Sequence, residues 1–309
     1  MPTEETDRQR IEAAVRQCYS TWGTTYHDDY YGEGAPYPPV HVELLRRLVK
    51  ESGARTLLDA GCGPASFLRY IARDGIDVFG FDLTDEMVAE AKRVFAELGL
   101  DSSRIWRGSV LDPEAFLRPE SAGGAGIYDA SVCVGVLPHV AEEHEAVLFS
   151  NLHEAVRRGG TVIVEARNQL FSLFTLNRPS HEFFLRELIR AEPLMERAGN
   201  ERPKLQHALD QLQRQFRMDL PPIRRGKAGE PGYDEVLSRT HNPLVLRERF
   251  AGAGFRDVRV LFYHFHALPP MLASELPELF LHESIAMERA EDWRGYFMAS
   301  AFLLCGTKA

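Results

Sequence analysis

Short apolar runs alternate with amphipathic helical patterns over residues 55–167. The runs TLLDA, DVFGFD, YDASVCV and TVIVEAR are almost continuously apolar, which is typical of parallel strands covered on both faces. Helical patterns such as DEMVAEAKRVFAEL lie between them and end near glycines. The alternation predicts a doubly wound α/β core with a mostly parallel sheet.

The alternation stops after Arg167 and resumes near residue 241. Residues 168–240 show helical aromatic runs and a Pro/Gly-rich stretch, but no convincing strand pattern. An insertion of that length usually folds on itself and serves as a lid or binding element. We therefore expect an N-terminal helical and aromatic segment (1–50), an α/β domain (51–167 and 241–309), and a helical cap insertion (168–240) on the substrate side. The insertion is also the surface expected to contact a second subunit if the protein forms a homo-oligomer.

Composition narrows the function classes. The 309 residues include 36 Lys plus Arg and 45 Asp plus Glu, which give a formal charge of -9. A sequence-independent nucleic-acid binder normally carries the opposite excess. No apolar stretch approaches the roughly 20 residues of a membrane helix, and the four cysteines form no close pair that would indicate a zinc site or a disulfide framework. We expect a cytoplasmic protein without a metal site that binds neither nucleic acid nor membrane.

The strongest motif is the glycine loop in LLDAGCGPA, followed by an acid at the end of the next strand. Gly61 and Gly63 let the backbone approach a ligand closely, and the following helix start is expected to offer free N–H groups. Asp82 lies 19 residues after Gly63, a spacing that suits a strand–helix–strand unit. A carboxylate at that position can accept hydrogen bonds from both hydroxyls of a ribose.

Two nucleotide cofactors compete for such a loop. The dinucleotide fingerprint requires a third glycine three positions after the second, and that position is Ser66 here. Asp59, two residues before the first glycine, would repel a pyrophosphate but would suit a cationic ligand. S-adenosylmethionine carries a sulfonium and an ammonium and has no phosphate. The charge pattern therefore favours S-adenosylmethionine over a nicotinamide dinucleotide.

These residues give the chain a resemblance to a known family. The motifs LDAGCGPA, GFDLT, YDASVCVGVLPHV and FMASAFLLCGTK resemble those of small-molecule class I S-adenosylmethionine-dependent methyltransferases. The resemblance implies a doubly wound, mostly parallel seven-stranded sheet with an antiparallel C-terminal strand. It also implies contacts with the methionine part, the ribose and the adenine of the cofactor, from Asp59, Gly61, Gly63, Asp82, Leu83, Ser109, Val110 and Val134.

One position departs from the family pattern. Many relatives have an acid at the position of Ser109, where it accepts a hydrogen bond from the adenine amino group. A serine hydroxyl is a weaker acceptor, so the sequence leaves the recognition of that amino group less well defined.

An aromatic patch and one histidine complete the candidate site. Aromatic faces attract a sulfonium, and Tyr26 is predicted to fold over the cofactor with Tyr19 and Trp22 behind it. His139 follows the fourth strand, where a neutral imidazole can take a proton from the acceptor. Tyr26 and His139 are the catalytic candidates, and packing of the aromatic patch or of His139 on the cofactor is the structural alternative.

The sequence thus predicts methyl transfer from S-adenosylmethionine to a nitrogen or oxygen of a small molecule. The acceptor is expected to be a sugar, an amino acid or a natural-product intermediate. This choice rests on analogy, since a fold does not determine the substrate. Two alternatives stay open: a nicotinamide-dependent oxidoreductase, and a cofactor-binding protein without turnover.

Overall fold

A computed structural model describes residues 4–22, 25–32, 35, 37–124, 126–218 and 235–309. Seven strands form one sheet: β1 Thr56–Ala60, β2 Asp77–Asp82, β3 Ile105–Arg107, β4 Tyr128–Cys133, β5 Val156–Arg167, β6 Phe255–Phe265 and β7 Ala299–Lys308. The α-helices of the described ranges are α1 Glu4–Ser20, α2 Tyr26–Tyr30, α3 Val40–Glu51, α4 Leu68–Arg73, α5 Asp85–Glu97, α6 Glu145–Ala155, α7 Ser172–Thr175, α8 Arg178–Phe183, α9 Ala191–Arg197, α10 Arg202–Gln213, α11 Pro243–Gly252, α12 Pro277–Ala286 and α13 Gly295–Met298. None of these helices is both long and apolar enough to cross a membrane.

The strand order is β3-β2-β1-β4-β5-β7-β6. The first five strands pair in parallel, whereas β7 runs antiparallel between β5 and β6. The order reverses direction at β1, so the carboxyl ends of β1 and β4 flank the crevice where ligands bind in open α/β sheets. This architecture confirms the predicted fold class.

Two element boundaries differ from the sequence pattern. The pattern EEHEAVLFSNLHEAVRRGG over residues 142–160 predicts a helix that extends to Gly160. The helix ends at Ala155, because Val156 already pairs with Tyr128 of β4. The predicted C-terminal strand begins only at Ala299, since the preceding residues form α13. In both cases strand pairing, which a single sequence window does not show, sets the boundary.

The sheet is buried on both faces, which explains the continuous apolar runs. Leu57 and Leu58 of β1 are both fully buried, yet they belong to different core clusters on opposite sides of the sheet. Val162 and Ile163 of β5 divide in the same way. Neighbouring strand residues point to opposite faces, so a sheet between two helical layers requires apolar residues at every position.

The described part of the insertion, residues 168–218 and 235–240, contributes helices and no strand to the sheet. Asn168 fastens its start, since the side-chain amide donates to the carbonyl oxygens of Gly295, Tyr296 and Ala299 at 3.1, 2.9 and 2.8 Å. The Pro/Gly-rich stretch lies outside the described residues.

A buried ion-pair network stabilises the segment through which the chain returns from the insertion to the α/β domain. The carboxylate of Glu145 in α6 accepts from the guanidinium groups of Arg239 and Arg249 at 2.5 and 2.8 Å, and His241 Nε2 lies 3.2 Å away. Burial alone would raise the pKa of Glu145, but its interactions with His241, Arg239 and Arg249 outweigh burial and lower the pKa to about 2. Arg239 also donates its backbone N–H to the carbonyl of Pro138 at 2.8 Å, so the network fixes the turn that follows β4.

Glu145→Gln is expected to lower the free energy of unfolding at pH 7 by about 3 kcal/mol, because it removes the buried carboxylate to which Arg239 and Arg249 both donate. A depressed carboxyl pKa adds stability above the pKa of the unfolded chain, and this stability is lost as the pH falls toward 2. The difference between variant and parent should therefore shrink between pH 5 and pH 2. Denaturant unfolding across that range measures it, with exposed Glu143→Gln as the control, and equal stability at pH 7 would contradict the assignment.

Candidate active site

A cavity with an empty volume of about 870 Å³ lies at the carboxyl ends of β1, β2, β3 and β4. The loops that follow these strands form its floor, and one face of α1 forms its roof.

The loop after β1 approaches the cavity with its backbone. Gly61 has φ +92°, and a Cβ atom there would lie 2.3 Å from Cγ2 of Val136. A left-handed backbone and a contact this close admit glycine alone. Gly63, with φ +51°, faces open space on the ligand side.

The N–H groups of this loop are already satisfied within the protein. Gly61 and Cys62 both donate to the carbonyl of Phe81 at 2.9 Å, and Gly63 donates to Oδ2 of Asp82 at 3.0 Å. These three groups belong to the loop, whereas the expectation of free N–H groups concerns the helix start that follows it. Phosphate-binding loops use free backbone N–H groups, and these three are not available to hold a pyrophosphate.

Two carboxylates take the place of anion-binding groups. Asp59, at the end of β1, is 3% exposed, and burial, with repulsion from Asp82, raises its pKa to about 8. Burial also raises the pKa of Asp82, although hydrogen bonds from the N–H groups of Thr84 and Gly63 oppose the shift. Neither carboxylate forms an ion pair within the described part of the chain. A cationic ligand bound beside them would favour the ionised form of both carboxyl groups.

The loop after β4 forms the opposite wall. Val134, Gly135 and Val136 line the cavity, and the N–H of Gly135 donates to Oε2 of Glu165 at 2.5 Å. Glu165 is a buried carboxylate of β5 that also bonds the hydroxyl of Tyr263. It therefore holds the backbone of this loop from behind the sheet.

A hydrogen-bonded chain connects the roof to the turn after β4. The hydroxyl of Tyr19 lies 2.8 Å from Nε2 of His139, and Nδ1 of His139 lies 2.6 Å from the carbonyl of Leu237. A carbonyl only accepts, so Nδ1 carries the proton, and in the neutral ring Nε2 accepts from Tyr19. Both side chains line the cavity.

Tyr26 enters the cavity from α2, packed among other aromatic rings. Its ring centroid lies 4.7 Å from that of Tyr30 and 6.2 Å from that of Tyr19. Burial, with nearby Tyr31, raises the pKa of Tyr26 well above its usual value. Its hydroxyl therefore stays protonated at neutral pH, where it can donate a hydrogen bond but cannot act as a base.

The structure brings most of the sequence-predicted site residues to this one cavity. The residues that line it are Tyr19, Tyr26, Gly61, Gly63, Asp82, Leu83, Ser109, Val110, Val134 and His139. Asp59 is buried beneath the glycine loop, outside the lining. Trp22 is also buried and packs against Tyr30 at 6.0 Å.

Sequence reasoning missed several residues of the site. Arg8 and Glu12 line the roof together with Ile11 and Val15, and Glu165 supports the wall. The spacing of Ile11 and Val15 predicts a buried helix face, but a helix pattern does not show what that face covers. Glu165 looks like the polar end of an apolar strand.

Comparisons with known proteins agree with this geometry. A family model described as "Methyltransferase domain" matches residues 58–162. A ubiquinone biosynthesis O-methyltransferase of Xylella fastidiosa (strain M23) is 27% identical over 150 residues, which are 48% of this chain and 56% of the relative. An S-adenosyl-L-methionine-dependent Diels-Alderase of Talaromyces variabilis is 28% identical over 160 residues, 46% of this chain and 53% of that protein. The chain thus spans little more than half the length of these curated relatives.

Among solved structures, magnesium protoporphyrin IX methyltransferase of Synechocystis with bound SAH shares the fold. The superposition has a TM-score of 0.51 and 15% identity, and it covers 97% of this chain and 100% of the other. The sheet order, the acid-flanked glycine loop and the family model matched over residues 58–162 confirm the predicted resemblance to class I S-adenosylmethionine-dependent methyltransferases. The cofactor of this family is S-adenosylmethionine, as the sequence predicts.

Gly61→Ala is expected to lower the free energy of unfolding by about 2–4 kcal/mol, because it combines left-handed backbone strain with a steric clash. Affinity for S-adenosylhomocysteine should fall as well, since Val136 must move and Val136 lines the cavity. Denaturant unfolding and titration calorimetry measure both effects. Gly99→Ala is the matched control, because Gly99 also has positive φ but meets no atom within 4 Å. Equal losses in the two variants would show that the contact with Val136 is unimportant.

Proposed function

We propose that the protein is an O-methyltransferase that uses S-adenosylmethionine to methylate a hydroxyl group of a small molecule. The proposal rests on two carboxyl groups, Asp59 and Asp82, that form no ion pair within the described residues. They lie beside a loop in which the N–H groups of residues 61–63 already donate within the protein. A cationic nucleoside satisfies that arrangement, whereas a dinucleotide phosphate does not. The same observation argues against the nicotinamide-dependent alternative.

The residues present fit the cofactor. The carboxylate of Asp82 would accept from the ribose hydroxyls, and Leu83 and Val110 would pack on the base. The backbone at Gly61, Gly63 and Val134 would lie along the methionine part, with Asp59 beneath it. When bound, S-adenosylmethionine supplies a methyl group activated by a positively charged sulfur. The contribution of the protein is then mainly to align the acceptor, which can account for roughly 7–11 kcal/mol of barrier lowering.

Proton removal supports oxygen rather than nitrogen as the acceptor atom. A hydroxyl must lose its proton as its oxygen takes the methyl group, and an alcohol is a poor nucleophile until it does. Tyr19 and His139 offer a path: the phenol oxygen receives the acceptor proton and passes its own proton to Nε2 of His139. The carbonyl of Leu237 then faces the protonated ring and stabilises it. An amine acceptor, once deprotonated, attacks through its lone pair and needs no base in the transfer step itself.

The walls on the acceptor side favour a small molecule. The roof helix α1 closes the cavity, and the residues beyond His139 that line it include Val140, Ala141 and His144. A second candidate function is catalysis of another reaction with the cofactor bound, because one curated relative is described as a Diels-Alderase. Formation of S-adenosylhomocysteine in stoichiometric amounts with a methylated product separates the two.

Binding of the cofactor is expected to release a proton at pH 7. With a pKa of about 8, Asp59 is mostly neutral in the free protein, and a bound cation favours its ionised form. Calorimetry in buffers of different ionisation enthalpy should show release of up to one proton with S-adenosylmethionine and less with S-adenosylhomocysteine. Affinity for the cation should accordingly rise as the pH rises toward 8.

Asp59→Asn should abolish this difference between the ligands. Asp77→Asn is the matched control, because Asp77 lies at the opposite end of β2 and pairs with Arg104. Tight binding of NAD without binding of S-adenosylmethionine would overturn the proposed function.

Tyr19→Phe is expected to lower kcat about 100-fold, in the range of general acid–base contributions, with little change in affinity for S-adenosylhomocysteine. His139→Gln should have a similar effect and should change the pH profile of kcat, because the proton acceptor is lost. Tyr37→Phe is the control, since that phenol bonds Glu288 outside the cavity. Full activity of Tyr19→Phe would exclude the relay and favour a nitrogen acceptor.

A further inference from the structure

The roof helix places one carboxylate inside the cavity. Oε1 of Glu12 accepts from the hydroxyl of Ser109 at 2.6 Å and from Nε of Arg8 at 3.1 Å. Oε2 has no hydrogen-bond donor within the described ranges. We propose that Glu12 recognises the exocyclic amino group of the cofactor adenine through Oε2, and so determines the specificity for the base. This inference rests on the proposed use of S-adenosylmethionine.

The arrangement of polar groups around the cavity locates the base. Asp82 marks the ribose, and the surface next to it is apolar, formed by Leu83, Met87 and Leu111. A flat nucleobase fits against such a surface. Beyond it, Glu12 brings a carboxylate to the rim of the same wall, where Ser109 and Arg8 hold it. A base that extends from the ribose across the apolar surface presents its edge to Glu12.

The hydroxyl of Ser109 already donates one hydrogen bond and accepts another. It accepts from the N–H of Leu111 at 3.1 Å and gives its only proton to Glu12. Ser109 is therefore a positioning residue, and Glu12 offers the free acceptor. A carboxylate accepts but cannot donate, so it suits an amino group and opposes a carbonyl oxygen at the same position. The site should therefore prefer adenine over a base with an oxo group there.

Glu12 also connects the cofactor to the roof helix α1. Three of the residues that face the cavity from this helix, Ile11, Val15 and Tyr19, lie on one helical face with Glu12. A hydrogen bond from the base to Glu12 therefore joins the cofactor to the helix that also carries Tyr19. Recognition of adenine and placement of the phenol over the acceptor then depend on the same docked helix.

Titration calorimetry with S-adenosylhomocysteine and S-inosylhomocysteine tests the proposal without turnover. The parent protein is expected to bind the adenosyl compound at least about tenfold more tightly, because the inosyl oxygen faces the carboxylate. Glu12→Gln should reduce that ratio to about threefold or less, since an amide can also donate. Ser109→Ala should reduce the ratio to an intermediate value by loosening Glu12.

Asp7→Asn is the matched control, because Asp7 is a carboxylate on the same helix that pairs with Arg10 outside the cavity. It should keep the parent ratio. A second readout is trypsin cleavage in α1, which S-adenosylhomocysteine should slow in the parent and much less in Glu12→Ala.

Three outcomes separate the explanations. An unchanged ratio in Glu12→Gln, or an equal loss of both ligands, would overturn the recognition of adenine and leave Glu12 as a support for the roof. Loss of preference in Glu12→Gln with the parent ratio in Asp7→Asn would support it. If the parent protein binds neither compound, the proposed function itself fails.

Discussion

The site depends on the acceptors of the backbone N–H groups in the loop at the carboxyl ends of β1 and β2. The N–H groups of Gly61 and Cys62 donate to Phe81, and that of Gly63 donates to the carboxylate of Asp82. The loop thus closes on the protein rather than on a ligand anion. Burial, together with the nearby carboxylate of Asp82, raises the pKa of Asp59. A fold shared with dinucleotide enzymes is thereby converted into a site for a positively charged nucleoside.

In the proposed function, the catalytic groups come from segments far apart in the chain. Tyr19 comes from the N-terminal helix, His139 from the turn after β4, and the carbonyl of Leu237 from the return of the insertion. The buried carboxylate of Glu145 holds that return through Arg239, which also bonds the His139 turn. The insertion therefore contributes to the orientation of His139, although none of its described side chains lines the cavity.

The roof helix links binding to chemistry in the proposed function. It carries Glu12 toward the base and Tyr19 toward the acceptor. A roof that must dock before both groups are in place would exclude water from the reacting atoms, which strengthens the electrostatic interactions inside the site. Such coupling gives a physical reason for covering the cavity with a helix rather than with a loop.

The sequence by itself determined the α/β core, because alternating apolar runs and amphipathic helices follow local periodicity. It also predicted the glycine loop with Asp59 and Asp82, because these residues lie in or next to strands whose order the pattern implies. Strand boundaries at Val156 and Ala299 were decided by pairing across the sheet. The contact of Glu12 with Ser109, the support from Glu165 and the pairing of His139 with Leu237 join residues that are 30 to 98 positions apart. Only the tertiary structure could decide them, since no local pattern encodes which distant surfaces meet.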